Sequence, residues 1–181
     1  MVDVATEADY YEVVARLNER GFQVCTDEGA PLCRLVYSEI RVDISATAST
    51  AIGPTNRWYR DAIANAASYS VEAGVEVLGI TPMYFLATKL EAFQERGGGD
   101  YQASHDLEDV LAVMAGLPGL RGQIASEKTA VAIAVRRELI ELRAREAFID
   151  AVPGHFDGDA AGQARANKVL DWLHALPALP V

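Results

Sequence analysis

At 181 residues, half of them hydrophobic and 23% charged, the chain has the size and balance of one folded domain, or one and a half, with a substantial core. Its formal net charge of −10 argues against general nucleic-acid binding, which needs a basic surface, though a local basic groove remains compatible with it. No apolar run reaches membrane-spanning length, and the acidic opening MVDVATEADYY lacks the apolar stretch of a signal peptide, so a cytoplasmic protein without a membrane partner is expected.

Val2 to Val4 reads as the end of a strand. Residues 8–20 form an amphipathic helix with Tyr10, Val13, Val14 and Leu17 as its apolar stripe, closed by Gly21. Two cysteines, Cys25 and Cys33, make neither a disulfide framework nor a metal site and read as reduced, half-buried strand residues. Residues 32–37 and 40–45 alternate as two strands joined by Ser38-Glu39. In the second strand Ile40, Val42 and Ile44 share one face; Arg41, Asp43 and Ser45 share the other. Asp43 is therefore expected to project from the sheet among small or polar neighbours. Residues 46–56, punctuated by Gly53-Pro54, form a loop, and a short helix starts at Asn56-Arg57-Trp58-Tyr59. A second hairpin, 67–72 with 75–80, turns at Ala73-Gly74.

The next stretch, residues 81–114, reads as helix, glycine-rich loop, helix. Thr81 supplies an N-cap oxygen, Pro82 occupies the first turn, and Gly97 to Gly99 stop the helix. Phe85, Leu86, Leu90 and Phe93 recur at helical period, and Lys89 lies inside that stripe. A lysine there either snorkels outward on its stem or aims its ammonium at an anion. The second helix follows Ser104 and buries Leu107, Val110, Leu111 and Met114, with Asp106 and Asp109 sharing the border of that face. Leu117-Pro118-Gly119 breaks the chain, residues 126–149 read as one long helix, Pro153-Gly154 breaks again, and residues 160–176 make the last helix. The class is α/β (α+β), with an α/β core over 1–116 and a helical section over 117–181 packed on it.

Each candidate has a plain alternative. Asp106 and Asp109 suit a helix first turn on dipole grounds alone. Asp43 fits a solvated sheet face, and His105 and Arg96 fit a surface. The three glycines follow a helix and lack the lysine and hydroxyl residue of a P-loop, which makes a weak phosphate-loop signal. Taken together, a stripe lysine, a strand carboxylate and a helix carboxylate pair suit metal-assisted phosphoryl chemistry.

The run TKLEAF followed by SHDLEDV resembles the nucleotidyltransferase-fold proteins of the AbiEii/AbiGii toxin type. Lys89, Ala92 and Arg96 match that family's K-x-x-A motif and its following arginine; His105, Asp106 and Asp109 match its R-D-x-x-D-like motif, with histidine in the arginine position. EGAPLCR, the VD of a strand, and TNRWY extend the similarity over about residues 5–155. The resemblance implies a small mixed sheet flanked by helices and Mg²⁺-dependent transfer of a nucleotide from a nucleoside triphosphate to RNA, a tRNA 3′ end in characterised toxins, or to protein. On this reading Asp43 is the sheet-borne catalytic carboxylate near the metal, Lys89 holds the triphosphate with help from Arg96, Arg57 and Asp109, and Asp106 orients the reacting groups. The family's opening glycine pair and D-x-D strand have no counterpart upstream of Asp3. Weak or absent Mg²⁺ binding, catalytic silence and a free sheet edge open to self-association are therefore expected. The alternative is a non-catalytic nucleotide-binding or regulatory module on the same scaffold. An antitoxin is a further partner that the resemblance implies.

Overall fold

The computed structural model of the chain describes residues 6–45, 47 and 55–177. The strand expected at Val2 to Val4 and most of the loop expected at 46–56 lie outside those residues. The chain divides into two compact units, residues 1–64 and 65–181, whereas the sequence suggested a boundary after residue 116.

The first unit opens with α1 (Glu7–Asn18), started by a reciprocal cap in which Thr6 Oγ1 accepts from the Asp9 amide and Asp9 accepts from the Thr6 amide. Gly21, at φ 93°, turns the chain out of the helix. The sheet that follows runs in the order β1 (Gln23–Val24), β2 (Arg34–Tyr37), β3 (Ile40–Asp43), antiparallel throughout. Strand β1 was not foreseen, being two residues long and exposed, too short to show a period. The β2–β3 turn is the expected Ser38-Glu39, with Ser38 at φ 55°. Tyr10, Val13 and Val14 pack against Cys33 and Leu35 as the unit's core, and Tyr10 Oη donates to the Leu32 carbonyl at 2.8 Å. Cys33 is buried and Cys25 half-buried, both free, and both lie just outside the strands rather than in them. Asn56 Oδ1 accepts from the Trp58 amide at 3.0 Å and leads into α2 (Tyr59–Ala64).

The second unit begins with the hairpin β4 (Ala67–Glu72) and β5 (Val75–Gly79), its turn at Gly74 with φ 82°. The class is α+β as expected, and the strands among the described residues form two small antiparallel sheets. Among the described residues six helices follow: α3 (Pro82–Arg96), α4 (His105–Gly116), α5 (Leu120–Ser126), α6 (Ala130–Arg143), α7 (Glu146–Ala151) and α8 (Ala160–His174), with a 3₁₀ turn at Val152–His155. Helix α3 packs on α4 and α6, and α8 packs on α4 and α6. Leu86, Leu90, Leu107, Leu111, Leu139, Phe148 and Leu173 are fully buried. Long cations close helix C-termini, as orphan carbonyls require. Lys168 Nζ donates to Ala115 O at 2.9 Å, Arg136 Nη1 to Ala125 O at 2.7 Å, and Arg143 Nη1 to Leu173 O and Leu176 O at 3.0 Å each.

Two expectations fail here. Residues 126–149 are not one helix: α5 ends at Ser126, Thr129 caps a new start by accepting from the Ala132 amide, and Arg145 breaks the chain again in extended conformation. A run of good helix formers hides such boundaries, because tertiary packing overrides propensity. Thr81 takes the N-cap backbone position of α3, but its hydroxyl makes no capping bond. No described helix is long and apolar enough to cross a membrane.

Candidate functional site

The motif residues of the α3–α4 hairpin converge on one carboxylate. Lys89 and Arg96 stand seven residues apart, two turns along the same side of α3. The loop between the helices folds on itself, with Gly98 and Gly99 at positive φ and Asp100 Oδ1 accepting from the Gln102 and Ala103 amides at 3.0 and 2.9 Å. Helix α4 then starts at Ser104, whose hydroxyl accepts from the Leu107 amide at 3.3 Å. Asp106 falls in its first turn, where the helix dipole favours an anion.

Asp106 is 8% exposed and accepts three hydrogen bonds: from Lys89 Nζ at 3.1 Å, Arg96 Nε at 3.0 Å and Arg96 Nη2 at 3.1 Å. Asp109, one turn on, approaches Lys89 Nζ at 2.6 Å. Two cations thus face two carboxylates, and the formal charges cancel. Burial alone would raise the Asp106 pKa, but the bonds from Arg96 and Lys89 outweigh it and hold the carboxyl below its ordinary range. Burial pulls the Lys89 ammonium down, and the bonds to Asp109 and Asp106 more than reverse this, leaving its pKa raised. Lys89 also lies 6.0 Å from the Phe85 ring centroid. Its stem runs along the apolar stripe and its head meets anions, so both sequence-level readings of this lysine are partly realised.

The remaining candidates make other contacts. His105 is exposed and pairs with Glu108 at 3.1 Å. Beside it a cleft of about 460 Å³ is lined by Gln102, His105, Glu108, His155 and Asp157; none of the four cluster residues lines it. Asp43 and Arg57 belong to the first unit. Arg57 stacks over Trp58, its guanidinium carbon 5.2 Å from the ring centroid.

Asp43 has a polar neighbour, as expected, and a specific one. Its register partner is Arg34, which grips both carboxylate oxygens, Nε to Oδ1 at 2.7 Å and Nη2 to Oδ2 at 2.8 Å. The hydrogen bond from Arg34 is the main reason its pKa is lowered. Arg34 went unassigned from sequence, yet the signal was present: a two-residue turn at Ser38-Glu39 sets Tyr37 opposite Ile40 and so Arg34 opposite Asp43. The guanidinium takes one lone-pair direction on each carboxylate oxygen and sets a positive charge beside the group, which disfavours a cation there. Among the described residues no group of three or more His, Cys, Asp or Glu is arranged to hold a metal.

Comparisons with protein-family models, with curated proteins and with solved structures find no match to this chain.

Proposed function

We propose that the chain is a nucleotidyltransferase-like module that takes the phosphates of a nucleoside triphosphate at Lys89 and Arg96. The observation that carries this reading is two cations on one helix face converging on a single carboxylate, with both side chains still reachable by solvent, 27% and 54% exposed. Phosphate oxygens accept from ammonium and guanidinium in the geometry that Asp106 uses here. A triphosphate would enter by exchanging with a carboxylate, and the raised pKa keeps Lys89 charged for it. In the transfer that the resemblance implies, to tRNA, another RNA or a protein, Asp43 would act as a carboxylate already paired with Arg34.

A second reading, a non-catalytic nucleotide-binding or regulatory module, is favoured by the cancellation of charge within the cluster. Nothing in it demands a ligand for neutrality, and its bonds join consecutive helices as a clamp.

Calorimetric titration with each common nucleoside triphosphate separates the outcomes. The proposal expects weak binding that Lys89→Ala reduces about tenfold, the equivalent of about 1.4 kcal/mol. Asp109→Asn should tighten it, because that change removes a carboxylate competing for the ammonium. No binding by the parent chain, or binding indifferent to both substitutions, overturns it. Labelled-nucleotide transfer to total tRNA then separates the first reading from the second.

A further inference from the structure

A second candidate site lies wholly within the first unit, along β3, the edge strand of its sheet among the described residues. Between α1 and this strand runs a groove of about 570 Å³, within the range of small-molecule sites. Leu17, Phe22, Val42 and Ile44 form its floor, each only half-buried. Leu17, Phe22 and Ile44 also touch the unit's core cluster, so the floor is anchored from behind.

The rim is what gives the groove a chemical preference. Arg16 stands in the last turn of α1 and Arg20 in the turn just past its C-cap, and both border the opening. Both are exposed, and neither has a hydrogen-bond or ion-pair partner among the described residues. The third charged residue at the rim, Asp43, is already neutralised by Arg34. The local balance is therefore positive, on a chain whose net charge is −10. An apolar floor beside two unspent guanidinium groups matches one kind of occupant.

We propose that the α1–β3 groove binds a small amphipathic anion: an aromatic or alkyl body lying on Leu17, Phe22, Val42 and Ile44, with a single sulfonate, carboxylate or phosphate group on Arg16 and Arg20. Apolar contact supplies most of the affinity, and the arginines choose the charged end. This site is independent of the Lys89 cluster.

The probe is anilinonaphthalene sulfonate, with N-phenylnaphthylamine as its neutral counterpart, titrated by fluorescence against the full chain. One equivalent of the sulfonate should bind with blue-shifted emission, and its affinity should fall as salt rises. In the Arg16→Gln/Arg20→Gln double variant the sulfonate should bind about tenfold more weakly while the neutral probe is unaffected. The Arg16→Lys/Arg20→Lys variant should recover most of the loss. Both arginines are exposed, so these variants keep the fold; amide spectra check this, and in the parent chain should show probe-induced shifts at Leu17, Phe22 and Ile44. Competition by dodecanoate or by a naphthoate tells an alkyl body from an aromatic one. The inference is overturned if the sulfonate does not bind, if the double variant binds it as well as the parent, if both probes weaken together, or if the shifts lie elsewhere.

Discussion

Replacing Asp106 by Asn keeps the shape of the side chain and removes its charge, which isolates what the carboxylate does between α3 and α4. In the parent protein this oxygen pair, 8% exposed, accepts three hydrogen bonds at 3.0–3.1 Å from two cations. Breaking a fully buried ion pair by deleting one partner costs roughly 3–5 kcal/mol. Here the cations are not trapped: Lys89 keeps Asp109 at 2.6 Å, and Arg96 is already 54% exposed and turns to water readily. The amide also retains one acceptor. A loss of about 2 kcal/mol is the expected result, most of it from the misplaced amide N–H groups facing a guanidinium.

Urea unfolding followed by fluorescence measures it. The two tryptophans fall one in each unit, Trp58 in the first and Trp172 in the second, so a Trp58→Phe background confines the signal to the unit that holds Asp106. For a domain of that size the same loss lowers the midpoint of thermal unfolding by roughly 5–10 °C. The pH dependence supplies the sign. A carboxyl whose pKa is depressed in the folded state contributes stability that is present above its ordinary value, 3.8, and lost as pH falls through the lower folded value. Parent and variant should therefore differ at neutral pH and converge in acid. A variant within about 0.5 kcal/mol of the parent at neutral pH, the level of an ordinary surface change, would refute the reasoning. So would a gap that persists unchanged in acid.

Two further predictions follow the same logic. Arg34→Met should change stability little, because its pair with Asp43 is bidentate but solvent-exposed, and should return the Asp43 carboxyl toward its ordinary pKa; carboxyl-detected NMR titration reads the shift, and an unmoved pKa counts against the pairing. Gly162→Ala should destabilise the second unit by about 1–3 kcal/mol despite the better helix propensity of alanine, because an added Cβ would run into the Asp157 carbonyl; denaturation showing a gain in stability would contradict that packing.

The sequence was most informative where local chemistry decides the outcome. Ser38-Glu39, Ala73-Gly74 and Gly97–Gly99 mark turns and a helix stop through backbone geometry, and elements turn or end at each. The stripe Leu86, Leu90, Phe93 and the row Leu107, Val110, Leu111, Met114 are buried as their period requires. The register that pairs Arg34 with Asp43 was implicit in a two-residue turn. What sequence could not supply was the partner of each face. The boundary between units falls after Ala64 rather than after Gly116, because α3 and α4 are covered by α6 and α8, and no periodicity says which helix will cover another. Likewise Lys89, ambiguous in the stripe, was resolved by the turn of the loop that brings Asp106 and Asp109 over it: helical spacing fixes which residues share a face, and only the fold of the chain determines which charges meet.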